Sequence, residues 1–208
     1  FTIKIMEKGE KGAQDAYERL TKELSEAKKI LQDEEEHEEE LIAILDEERL
    51  QYVGSMVLGL NDALVELTGT LAGLSFALQN NKLVALSGLI TGISATLSMA
   101  SSEYLSARSE GDSNALKSSL YTGLMYIFAV VCMVLPYLLL PSESYISALV
   151  TMLIIVVVII FAFTYYISVA KDLPFKKRFS EMAIISLSVA ALSFIVGVIV
   201  KKFLGIDI

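Results

Sequence analysis

Two carboxylates interrupt an apolar run at LGLNDALVELTG, residues 58–69. Asp62 and Glu66 are four positions apart, so a helix presents them on one face with roughly 6 Å of rise between them. A largely apolar stretch follows Glu66 as far as Gln79, and the nearest charges before it, Glu48 and Arg49, lie well upstream. Both acids therefore fall at membrane depth or line a cavity open to water. Ionisable groups there are expensive and mark functional sites by default. Two structural readings stand beside that one: snorkelling to an interface, or hydrogen bonding that glues helices together.

A second apolar run, GISATLSMASSEYLSARSEGD at residues 92–112, offers a matching face. Met99 and Glu103 are four apart, with Thr96 one turn earlier. Oxygen ligands alone suit magnesium or calcium, whereas a thioether shifts preference towards a transition metal. A methionine by itself is more often packing; its helical phase with Glu103 is what includes it. Gly69 and Gly73 in the first run, and Gly88 and Gly92 in the second, follow a small-xxx-small pattern. That pattern predicts helices close enough for short acids to share a cation. Glu110, at the end of the second run, reads equally well as part of an entry or as a solvated charge.

The first fifty residues carry a different constellation. Glu10 and Glu34 fall on otherwise apolar helical stripes, with His37 three positions after Glu34. A buried carboxylate beside an imidazole needs a partner or a cation. Glu-x-x-His is also the spacing by which one helix of a bundle presents two inward metal ligands. In so Glu-rich a run, DEEEHEEEL, the same spacing also arises by chance on a solvated hairpin.

The elements that must hold these residues follow from composition. The chain has 208 residues, of which 54% are hydrophobic. Apolar segments near the ~20-residue length of a span recur at about 53–79, 83–107, 119–140, 146–170 and 182–200. Residues 1–50 hold 16 acidic and 8 basic side chains, so the whole net charge of −8 resides there. The expected protein is all-α, with an acidic helical hairpin at 1–50 and a five-span membrane domain at 51–208. Arg108, Lys117, Lys171, Lys176, Lys177 and Arg178 crowd two connections on one side. The bias of basic loops predicts a cytoplasmic N-terminus and a C-terminus on the opposite side of the bilayer. Tyr137, Tyr145, Phe175 and Phe179 are expected as interface anchors, and Pro136 and Pro141 as the end or kink of the third span. The lone Cys132 excludes an intrachain disulfide. No cleavable signal peptide is visible, and a start at Phe1 suggests that the true N-terminus is missing. Walker-type loops, zinc cysteine clusters, catalytic serine motifs and a nucleic-acid footprint are all absent from the pattern.

Residues 53 onward resemble the vacuolar iron transporter family. The resemblance is carried by GLNDALVELTGTLAGLSFAL, ISATLSMASSEYLSARSE and the five-span layout. It implies a dimeric exchanger that moves Fe²⁺, and often Mn²⁺, out of the cytoplasm against protons. It also implies that Asp62 and Met99 match the family's functional aspartate and methionine. Glu66 and Glu103 come from helical phase alone. Plant-type members insert a glutamate-rich metal-binding domain between spans two and three; here that connection is roughly SEGDSNALKSS, too short to fold as one. The N-terminal EKGAQDAYERL and DEEEHEEEL resemble half of a ferritin-like or rubrerythrin-like di-iron domain. In that resemblance the head captures Fe²⁺ through Glu10, Glu34 and His37. The missing helices come from a second chain in a homodimer, which the pairing of an amphipathic hairpin favours, or from residues before Phe1. The alternative is a membrane-anchored ferroxidase in which the spans chiefly anchor the head. A third reading, a tethered helical docking module, has no use for the membrane acids.

Overall fold

The computed structural model describes residues 52–171 and 173–204. Among these, every regular element is an α-helix. They are α1 (Val53–Leu78), α2 (Asn81–Ser109), α3 (Ala115–Leu139), α4 (Tyr145–Ala170) and α5 (Phe175–Leu204). All five are long and apolar enough to cross a membrane, the make-up of a multi-pass membrane protein. The expected spans are present, with one change of extent. α5 begins at Phe175, seven residues before the apolar run, because KKRFSEM continues the helix and the Arg178 N–H already donates to the Pro174 carbonyl. The expected N-terminal hairpin lies outside the described residues.

The chain divides into two units, Tyr52–Thr164 with Pro174–Ile208 and Phe1–Gln51 with Tyr165–Leu173. In the first, α1 is the organising helix, packed against α3, α5 and α2, while α2 also packs on α3. Leu60, Leu64, Leu67 and Leu71 of α1 are fully buried, a stripe at helical spacing that meets Tyr126, Val130, Met133 and Val134 of α3. Ala148, Met152, Val156 and Ile160 of α4 complete the same core. Outward faces stay apolar, as on Leu97 and Leu139, because lipid rather than water surrounds them.

Lipid gives apolar side chains no reason to leave it, so association depends on close packing and interhelical hydrogen bonds. The glycines supply the first, though not between the helices expected. A Cβ on Gly69 would press on Val189 and Ser193 of α5, and one on Gly197 would lie 2.5 Å from the Gly73 carbonyl. Gly92 faces Val130 of α3, and Gly88 is shared between Leu71 of α1 and Val134 of α3. The small-residue pairs thus serve α1–α5 and α2–α3 more than α1–α2. The tightest approach to α3 belongs to Gly59, where a Cβ would collide with the Thr122 carbonyl.

The turns are pinned by amides. The Asn80 side chain caps α2, accepting from the backbone N–H groups of Lys82 at 3.0 Å and Leu83 at 3.3 Å. The Asn81 side chain donates to the Pro141 carbonyl at 2.6 Å, tying the α1–α2 turn to the α3–α4 turn. Gly111, at φ +82, takes the left-handed conformation in the short α2–α3 link. Pro136 lies within the last turn of α3, which ends three residues later. Tyr137 is not an interface anchor. It is 1% exposed, and its hydroxyl shares a 2.8 Å hydrogen bond with Ser75 inside the bundle.

Replacing Gly59 by alanine should therefore force α1 and α3 apart and destabilise the bundle by about 1–3 kcal/mol. Gly54→Ala, where an added Cβ meets nothing of the same chain within 4 Å, should leave the contact between α1 and α3 unchanged and cost far less. Thermal unfolding midpoints of the two detergent-solubilised variants check the contrast.

Candidate metal path

Asp62, Glu66 and Glu103 are placed by two crossings, α1 on α3 and α1 on α2. Glu66 projects from α1 to α3, where the Tyr126 hydroxyl donates to its Oε2 at 2.8 Å. Tyr126 is itself fully buried, so the donor is fixed while the carboxylate keeps an exposed side. Asp62 is half-buried and borders an open groove of about 470 Å³ lined by Gly54, Val57, Leu58, Asn61, Asp62 and Val65. These residues lie along one side of α1, which nothing in this chain covers among the described residues.

Glu103 sits further along. Its Oε1 accepts from Ser55 Oγ at 2.7 Å, while the Thr122 hydroxyl donates to the Ser55 carbonyl at 3.0 Å. Ser55 is seven residues before Asp62, two turns or roughly 10 Å along the helix axis. Met99 is partly buried and packs against the core. Among the described residues no three Asp, Glu, His or Cys side chains gather closely enough to hold an ion. Within one chain, then, Asp62 and Glu66 stay together, Glu103 joins the same helix two turns away, and the four expected ligands do not converge. Glu110 is exposed beside Ser106. Glu10, Glu34 and His37 lie outside the described residues.

Three polar residues were not foreseen. Ser55 and Asn61 sit on the acid-bearing half of α1, and their helical phase with Asp62 and Leu58 would have revealed them. Tyr126 gave no such signal, being one of nine tyrosines in the chain and 60 positions from its partner. A hydroxyl of α3 thus joins the carboxylates of α1.

A model of the VIT family matches residues 53–115, which cover α1, α2 and the link to α3. Over this stretch, under a third of the chain, the protein is similar to that family of membrane transporters. No curated protein matches the chain.

If Tyr126 holds Glu66, the substitutions Tyr126→Phe and Glu66→Gln should not add. A double-mutant cycle read by thermal unfolding should show a coupling of about 0.6–1.7 kcal/mol, the range for hydrogen bonds between membrane helices. Strict additivity would mean that the contact does not contribute.

Proposed function

We propose that this chain is a homodimeric membrane transporter that carries divalent transition metal, Fe²⁺ and also Mn²⁺, out of the cytoplasm in exchange for protons. The observation that carries the reading is Asp62, a carboxylate at membrane depth on an uncovered side of α1, within the segment that matches the VIT family. A carboxylate with one side facing hydrocarbon costs up to about 2.5–3.5 kcal/mol on insertion scales. A second copy laying the same side of α1 against the first would remove that exposure. It would also place two sets of Asn61, Asp62 and Glu66 across a two-fold axis.

Oxygen donors then line a path between subunits, with Glu103 two turns away along it and Met99 on the neighbouring helix. Metal and protons compete for the same carboxylate oxygens, because a cation favours the ionised form and desolvation the neutral one. Loading metal releases protons and protonation releases metal, which is the physical basis of antiport. The basic α2–α3 and α4–α5 connections favour a cytoplasmic placement for that side. The acidic N-terminal residues, Glu10, Glu34 and His37 among them, would then concentrate the ion at the entry.

In proteoliposomes, Asp62→Asn should lower pH-gradient-driven Fe²⁺ flux by about a hundredfold, as loss of a metal-site group does, with the fold retained. Leu58→Cys in a Cys132→Ser background should form a disulfide-linked dimer on mild oxidation. Wild-type flux in the Asp62 variant would remove that residue from the mechanism, and a monomer that still transports would remove the two-fold path.

A further inference from the structure

We propose that α4 and α5 form a binding site for one anionic phospholipid, lined by none of the residues of the transport path. Lys176, Lys177 and Arg178 are consecutive and exposed in the first turn of α5, where no acidic residue accompanies them. Cations at the start of a helix work against its dipole, so the helix itself gains nothing from them. The bias of basic loops accounts for their side of the membrane, but not for what lies beside them.

Beside them is an aromatic cluster and then a groove. Phe161 of α4 meets Phe175 and Phe179 edge-on, with ring centroids 5.4 and 5.9 Å away, and those two stack at 5.7 Å. This cluster fixes the start of α5 against α4. One turn before Phe161 begins a wholly apolar groove of about 320 Å³, lined by Val150, Leu153, Ile154, Val157, Val158 and Leu187. From Val150 to Val158 it runs roughly 12 Å along α4, most of the ~15 Å hydrocarbon depth of one leaflet. Leu187 lies nine residues beyond Arg178, roughly 13 Å along α5. Cations, aromatic rings and groove thus follow one another in the order of a phospholipid's phosphate, interfacial region and acyl chain.

The charge selects the occupant. Lys176 and Lys177 attract the phosphate as point charges, and the Arg178 guanidinium can bind it in bidentate fashion. Glu181, exposed one turn later, leaves the cluster net positive. A second protein copy would need several acidic side chains to meet these cations, and among the described residues of α4 and α5 Glu181 is the one acid. The phospholipid's chain would lie in the groove and its anionic headgroup on the three cations.

The chain contains no tryptophan, so Val158→Trp gives a single reporter in the groove, and Leu187→Trp gives a second should the first not fold. Each is reconstituted in phosphatidylcholine vesicles doped with chain-brominated phosphatidylglycerol or chain-brominated phosphatidylcholine. Phosphatidylglycerol should quench at a mole fraction roughly tenfold lower, and replacing Lys176, Lys177 and Arg178 together by glutamine should abolish that preference. Equal quenching by the two lipids would overturn the proposal, as would a preference that survives the triple substitution. Absence of quenching by either lipid would overturn it too, by showing the groove covered by protein. None of these readouts depends on metal transport.

Discussion

A polar group inside a bilayer has no water to turn to, and the placement of side chains around α1 follows from that constraint. Glu66 accepts from Tyr126, Glu103 from Ser55, and the Ser55 carbonyl from Thr122. The magnitudes show why these bonds are not the whole account. A hydrogen bond between membrane helices contributes about 0.6 kcal/mol on average and at most about 1.7 kcal/mol. An ionised side chain at mid-membrane costs at least about 2.5 kcal/mol. One hydroxyl therefore orients a carboxylate without offsetting its burial. The balance must come from a bound proton or a cation, and this is the behaviour a carrier of cations requires.

Backbone packing decides which side of α1 remains available. Gly59 brings α3 against one side. Gly69 and Gly73, seven and eleven residues beyond Asp62, continue the face that Asp62 occupies, and there α5 closes over it. Among the described residues, nothing covers the half of that face carrying Gly54, Leu58, Asn61 and Asp62. The groove is therefore the part of one helical face that α5 does not reach. A larger residue at Gly69 or Gly73 would lift α5 and lengthen the groove rather than simply loosen the bundle.

The layout of spans could be read from length and hydropathy, since ~20 apolar residues have few other uses. The start of α5 was harder, because its first turns are charged and only their phase with the apolar run marks them as helix. The glycine spacing announced close approach but not the partner, since any neighbouring helix satisfies a small face. For the same reason Tyr137 looked like an anchor at the end of its run, when register places it on Ser75. Asp62 and Glu66 stood out because charge in an apolar run is rare. Tyr126 and Ser55 did not, because their importance lies in contacts 60 and 48 positions away in sequence. Helix register sets those contacts, and no local pattern reports it.

The spread of the donors bears on what the path could do with an ion. From Ser55 to Glu66 is eleven residues, roughly 16 Å along α1, and the oxygen groups are distributed over that length. A storage or catalytic centre gathers its ligands around one point, because affinity grows with the number of charges within bonding distance. Conduction asks for the reverse, with binding strong enough to admit the ion and divided enough to let it leave. Donors spaced along α1 and its neighbour, Glu66 and Glu103 each steadied by a hydroxyl, meet the second requirement. The uncovered side beside Asp62 leaves room for a second set, which is where the affinity to meet the first would arise.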